Sequence, residues 1–150
     1  MRTLRFIATP VLFLCCASSL AASGGPPADE QALALLQARA QKAGSREQCF
    51  LYTQLIRSLT EIAGQQLLSG DSESAAASLH RIEEYAALIH HGLAHDTKRV
   101  KEAEMMMQAA SFHLDEYLHR ASDEDKAAVQ AALRHLDGVH TELLAQVFAH

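Results

Sequence analysis

The fold of this chain depends most on residues 72–121, which read SESAAASLHRIEEYAALIHHGLAHDTKRVKEAEMMMQAASFHLDEYLHRA. Apolar residues recur along this stretch at alternating intervals of three and four, and one polar residue, Asp96, shares the pattern. The positions of this seam are Leu79, Ile82, Ala86, Ile89, Leu93, Asp96, Val100, Ala103, Met107, Ala110, Leu114, Tyr117 and Ala121. The spacing predicts amphipathic helix whose apolar side faces other helices, as in a coiled coil.

Two interpretations of this stretch are open. The unbroken phase of the seam predicts one helix over 72–120, about 70 Å long at 1.5 Å per residue. Alternatively, Gly92 caps one helix and Asp96 starts another. A broken chain forms an antiparallel four-helix bundle, whereas an unbroken helix leaves apolar surface that a dimer would cover. The phase favours the long helix, continuous or kinked at 92–96.

The remainder of the chain is also predicted to be helical. Its last prolines are Pro26 and Pro27, and alanine is abundant beyond them, which favours helix. We expect an all-α antiparallel bundle, formed as a single domain over 28–150, with helices at about 28–43, 46–69, 72–120 and 123–148.

Capping residues mark the expected helix boundaries. Ser45 and Gln48 have the spacing of a capping box. Gly70 is suited to a helix C-terminus and the following Asp71 or Ser72 to the next N-cap. Ser122, followed by three acidic residues, is typical of a helix start.

The first residues predict export. Arg2 and Arg5 precede an uncharged apolar stretch over 6–17 and the small residues SSLAAS, which is the layout of a signal peptide. We expect a signal peptide over 1–21, a flexible leader over 22–27, and a periplasmic or secreted protein. The alternative is that the segment is retained as a membrane anchor, although it is short for spanning a bilayer.

Signal cleavage changes the charge and the cysteine content of the chain. Loss of Arg2 and Arg5 leaves 11 basic and 18 acidic residues, a net charge of −7. This charge argues against binding to nucleic acid or to anionic lipid, and no stable membrane insertion is expected after cleavage. Cys49 becomes the single cysteine. It is either an intermolecular thiol or a small buried apolar residue, and the second is the favoured interpretation.

The candidate metal ligands are His91 and His95. They are four positions apart in sequence, so on a helix both would lie on one side, as many metal sites require. Seen from the seam they point outward, where a pair of solvated histidines is the simpler interpretation. No motif for a cofactor is present, and no nucleophile, base and orienting residue form a recognisable set, so no cofactor is expected and an enzyme is disfavoured.

Two resemblances add to these patterns. Residues 63–79, with Ala63, Gly70-Asp71, Glu73, Ala75 and Leu79, resemble about half of one tetratricopeptide-type unit of 34 residues. The mature chain also resembles uncharacterised exported helical proteins of bacteria. That likeness is carried by Gln48-Cys49-Phe50-Leu51, Asp96-Thr97-Lys98-Arg99, Glu102-Ala103-Glu104 and the closing helix from His140 to Phe148.

These observations predict an exported, non-enzymatic helical module that acts through protein contacts, with a protein partner or as a homodimer. The alternative is a histidine-based metal-binding or metal-buffering protein of the cell envelope.

Overall fold

The structure is a computed structural model that describes residues 28–93 and 97–149. Five α-helices make up most of these ranges: α1 (Ala28–Lys42), α2 (Ser45–Ser69), α3 (Ser72–Gly92), α4 (Val100–Arg120) and α5 (Lys126–Phe148). The expected all-α bundle is confirmed. The predicted signal peptide and leader, together with Asp96 and His95, lie outside the described residues.

The stretch over 72–120 is not one helix. α3 ends at Gly92, Leu93 is extended, and α4 starts at Val100. The preference for a long or kinked helix was therefore wrong, and the alternative with two helices is correct. The phase of the seam was misleading because Leu93 and Val100 are seven residues apart, close to two full helical turns, so each half keeps the same spacing whether or not the chain reverses between them.

Helices α2 to α5 form a four-helix bundle from two antiparallel hairpins. The first hairpin pairs α2 with α3 and the second pairs α4 with α5, while α2 also lies beside α4 and α3 beside α5. These side-by-side neighbours run parallel, since the start of α3 contacts the start of α5 through Ser72 and Asp125. α1 packs on the outside of α2.

The seam lies at the centre of this bundle on both α3 and α4. Its members on α3 are almost fully enclosed, as are Ala103, Met107, Ala110 and Leu114 on α4. The matching apolar stripes of α2 and α5, including Leu55, Leu59, Val129 and Leu136, complete the core. The four helices have 25, 21, 21 and 23 residues. Since these lengths are similar, each stripe is covered along its length without a second copy.

The turn between α2 and α3 forms as its residues predict. Gly70 adopts a left-handed conformation (φ 78°), which glycine tolerates without steric cost, and the Asp71 N–H donates to the Gln66 carbonyl. The Asp71 carboxylate then accepts from the Ser74 N–H at 3.2 Å, as an N-cap residue does. Hydrogen bonding from the side chain of Ser74, and then from its backbone N–H, lowers the pKa of Asp71.

The other two predicted caps have different outcomes. Ser122 accepts from the Asp125 N–H at 3.2 Å and starts the turn that leads into α5. The capping box of Ser45 and Gln48 is absent, because Gly44 occupies the N-cap of α2 and has no side chain to accept. Gln48 instead donates to the Ala40 carbonyl at 3.3 Å and so ties the end of α1 to the start of α2.

Asp125 joins the two hairpins at one end of the bundle. Its carboxylate is enclosed and accepts from the Ser122 hydroxyl at 2.6 Å and from the Ser72 hydroxyl at 3.1 Å. A buried carboxylate is costly unless it is hydrogen-bonded. The two hydroxyls satisfy this requirement and hold the start of α3 against the turn before α5.

The two glycines inside helices have different environments. At Gly64 of α2, a Cβ atom would overlap the ring of Tyr117 from α4, whereas at Gly138 of α5 a Cβ atom would meet nothing within 4 Å. Close helix approach therefore explains Gly64 but not Gly138. The Tyr117 ring lies over the Gly64 backbone, and burial together with the Glu61 carboxylate raises the pKa of Tyr117.

We expect opposite effects of alanine at these two positions. Gly138→Ala should stabilise the fold by about 1 kcal/mol, because alanine is the better helix former. Gly64→Ala should destabilise it by about 1 kcal/mol, because displacing the Tyr117 ring outweighs the same gain. Urea unfolding monitored by far-UV circular dichroism measures both changes.

A double-mutant cycle isolates the contact between Gly64 and Tyr117. In a Tyr117→Ala background the overlap is absent, so Gly64→Ala should become stabilising. If Gly64→Ala destabilised the protein equally in both backgrounds, overlap with the Tyr117 ring would not be the reason that alanine is unfavourable at position 64.

Candidate functional site

Of the predicted metal pair, only His91 lies within the described residues. His91 is in the last turn of α3, which ends at Gly92, and His95 lies outside the described residues. The argument for a shared helix face therefore does not extend from His91 to His95. His91 is exposed, and its ring lies edge-on to that of His90, with 4.9 Å between centroids.

Two other histidines pair with glutamates of a neighbouring helix. His140 Nε2 of α5 lies 2.9 Å from Glu104 Oε1 of α4, and the side chains are 23% and 12% exposed. His90 Nδ1 of α3 lies 2.6 Å from Glu142 Oε1 of α5. The carboxylates can only accept, so the ring nitrogens donate. α5 is thereby bonded through side chains to both of its neighbours.

The pair formed by His140 and Glu104 was missed by sequence reasoning, although a signal for it existed. In an antiparallel hairpin, residues at equal distances from the turn lie at the same level. Glu104 and His140 are equally far from Ser122 in sequence. The chain also contains Glu116-x-x-His119 and Asp137-x-x-His140, a spacing found in di-iron helix bundles. The same rule places these two motifs at different levels of the hairpin, and His119 donates to the Asp115 carbonyl of its own helix.

A groove of about 370 Å³ runs between α3 and α5 and is lined by three histidines. Its polar lining consists of His90, His91, Arg134, His135 and Glu142. His135 Nδ1 donates to the Ala131 carbonyl at 3.0 Å, which leaves Nε2 of the neutral ring as an acceptor.

The groove could offer single imidazole nitrogens to a ligand. Over residues 28–93 and 97–149, however, no group of three or more histidine, cysteine, aspartate or glutamate side chains is placed to hold a metal ion. Within the described ranges, therefore, a metal ion could be bound by at most two of these side chains at one place.

Cys49 lies inside the bundle. Cys49 is 3% exposed, and this burial raises the pKa of its thiol to about 11. The hydrogen bond with the Thr53 side chain lowers the pKa, but by less than burial raises it. A disulfide to another chain would require the start of α2 to open. The location is that of a small apolar core residue.

The three consecutive methionines have three different environments. Met107 is in the core, Met106 is partly buried, and Met105 is 57% exposed. Phe112 follows Met105 by one heptad and is 63% exposed. The outer face of α4 therefore carries two large apolar side chains on the side opposite its core stripe.

Comparison with known proteins adds no relative: no family model, curated protein or solved structure matches the chain. Within the described ranges, no helix combines the length and the apolar character needed to cross a membrane.

The burial of Cys49 predicts a protected thiol. At pH 8, modification by a maleimide should be at least about a hundredfold slower in the native protein than in guanidinium chloride, because little of the thiol is ionised and none of it is reachable. An Ala77→Cys variant in a Cys49→Ala background supplies an exposed control. Equal native rates for Cys49 and Cys at 77 would contradict the buried position.

Proposed function

We propose that this chain is exported and acts without catalysis, as a helical module that contacts other proteins, including a second copy of itself. The observation that carries the proposal is the outer face of α4, where Met105 and Phe112 remain exposed on a bundle whose core is otherwise closed.

The proposal of self-association now has a different basis from the sequence prediction. That prediction relied on a long helix with uncovered apolar surface, and the reversal of the chain between α3 and α4 removes this surplus. The large apolar side chains that remain uncovered on α4 are Met105 and Phe112. Single exposed apolar residues are ordinary on protein surfaces, but two large ones at heptad spacing form a stripe suited to another helix.

A contact function is also supported by the fold around this stripe. The bundle interior is filled by side chains, and the grooves on its surface are open depressions between helices. Small-molecule ligands are usually held in concave, mostly apolar pockets. A protein that offers rigid helix faces is better suited to binding other surfaces than to enclosing a small molecule.

Export is supported by the sequence layout of residues 1–21, which is that of a signal peptide. Removal of residues 1–21 would leave Cys49 as the single cysteine, so the cleaved chain would rely on its core without an internal disulfide, and the enclosed four-helix core meets that requirement.

Expression of the full 150-residue chain in a bacterial host tests export. We expect the protein outside the cytoplasm, with an intact mass that lacks about the first 21 residues, as for a cleaved signal peptide. Leu14→Arg places a charge in the apolar stretch and should block export. Leu35→Arg, on an exposed position of α1, should leave it unchanged.

Retention of the uncleaved chain in the cytoplasm would contradict export. Self-association is tested separately by sedimentation of the purified protein from micromolar to millimolar concentration. A rise in mean mass with concentration supports the proposal, whereas a strict monomer over the whole range argues against contact with a second copy.

A further inference from the structure

We infer that the outer face of α4 is a symmetric contact, in which α4 of one copy packs antiparallel against α4 of a second copy. The inference rests on the proposed function, because it specifies which surface mediates self-association. It goes further by fixing the orientation, the residue register and the charges that select this arrangement.

The contact surface is the exposed stripe of α4. Its members are Lys101, Met105, Gln108, Ala109, Phe112, Asp115 and Glu116, all of them exposed. They recur at intervals of three and four on the side of α4 opposite Ala103, Met107, Ala110 and Leu114, which are buried. The same helix therefore has two stripes of helical periodicity, one facing the bundle core and one facing solvent.

The stripe is self-complementary when two copies run antiparallel. A two-fold axis between Gln108 and Ala109 places Met105 of each copy opposite Phe112 of the other. Contacts between a methionine sulfur and an aromatic ring are favourable, and the symmetry supplies two of them. The small side chain of Ala109 at the centre allows the helices to approach at about 8–10 Å between axes.

The charges follow the same symmetry. The axis places Lys101 of one copy level with Asp115 and Glu116 of the other. Within one copy, Lys101 and Glu116 are about 22 Å apart along the helix at 1.5 Å per residue. This distance exceeds the screening length of about 8 Å at physiological salt. Their attraction is therefore available only between copies.

Lys101 has no competing ion pair within residues 28–93 and 97–149. The neighbouring Arg99 is paired with Glu102, and Glu116 lies 3.5 Å from His113 Nδ1, a pair that is charged only when the imidazole is protonated. A parallel arrangement would place Lys101 beside Lys101 and Glu116 beside Glu116. The charge pattern therefore selects the antiparallel arrangement.

The other exposed apolar residues do not offer an equivalent surface. Leu35, Leu68 and Leu88 lie on three different helices, and Leu144 and Phe148 are one turn apart at the end of α5. Met105 and Phe112 span two turns in the middle of α4. A contact through a single helix pair buries less than a standard interface, so we expect a dissociation constant on the order of 100 µM.

Sedimentation equilibrium of charge-reversed variants tests the inference. Lys101→Glu and Glu116→Lys should each raise the dissociation constant about tenfold, because each replaces attraction with repulsion in two symmetric places. The double variant Lys101→Glu/Glu116→Lys should return to within about threefold of the wild type, since its charges are again complementary across the axis.

Apolar variants give an independent readout. Phe112→Ser should also raise the dissociation constant at least about tenfold, whereas the matched change Leu35→Ser on α1 should leave it unaltered. Both side chains are exposed, so the thermal midpoint of each variant should match that of the wild type and show that the fold is retained.

Crosslinking tests the position of the axis. Gln108→Cys, next to the axis, should form a dimer with a short bismaleimide, and Leu35→Cys should not; buried Cys49 contributes little to either reaction. Self-association that is unchanged by every α4 substitution would overturn this inference and the role given to the α4 face, but it would leave self-association itself in place through another surface. A wild-type protein that stays monomeric to millimolar concentration would overturn both the inference and the self-association from which it starts, and the export test would be unaffected.

Discussion

The reversal of the chain between Gly92 and Val100 is the constraint on which the rest of the structure depends. Lys98 donates its N–H to the Arg46 carbonyl at 2.8 Å, and the Arg99 guanidinium lies 3.6 Å from the centroid of the Phe50 ring. Arg99 also adopts a left-handed conformation, with φ of 58°, which is uncommon for a residue other than glycine. These contacts place the start of α4 beside the start of α2.

This placement determines how the two hairpins pack. Because α4 begins beside the start of α2, the two helices run parallel, and α5 returns beside α3. The Tyr117 ring over Gly64 and the bond from Ser72 to Asp125 then lie at the other end of the bundle. The pairing of His140 with Glu104 and of His90 with Glu142 bonds α5 to both neighbours. The reversal thus brings the apolar stripes of α2, α3, α4 and α5 together to form one core.

Most of the helices could be predicted from the sequence, because periodicity and capping are local properties. Gly70, Asp71 and Ser122 mark helix boundaries by their own backbone and side-chain chemistry. The seam residues of α3 and α4 are buried as their spacing predicts, except for the partly buried Tyr117. The reversal could not be predicted in the same way. Its anchors, Arg46 and Phe50, are far from Lys98 and Arg99 in sequence, and the seam has the same phase whether the chain continues or reverses.

The candidate sites also divide into features with a local signal in the sequence and features that depend on how the helices pack. The burial of Cys49 agrees with its favoured interpretation as an apolar residue, whereas the pairing of His90 with Glu142 depends on the parallel packing of α3 and α5 and has no local signal. The stripe of α4 is intermediate. The seam already predicts that Met107 points inward, but only the structure shows that Met105 and Phe112 stay exposed once the bundle has formed.

The central claim is that the chain reverses, and a distance measurement tests it most directly. Spin labels can be attached at Glu73→Cys, at the start of α3, and at His119→Cys, at the end of α4, which are both exposed positions. These two helix ends lie at the same end of the bundle. In protein diluted with unlabelled chains, pulsed electron resonance should give a separation of about 20–30 Å, since neighbouring helix axes are about 8–10 Å apart, α3 and α4 lie on a diagonal of the bundle, and the labels are flexible. A separation near 70 Å, expected for one helix at 1.5 Å per residue, would contradict the account.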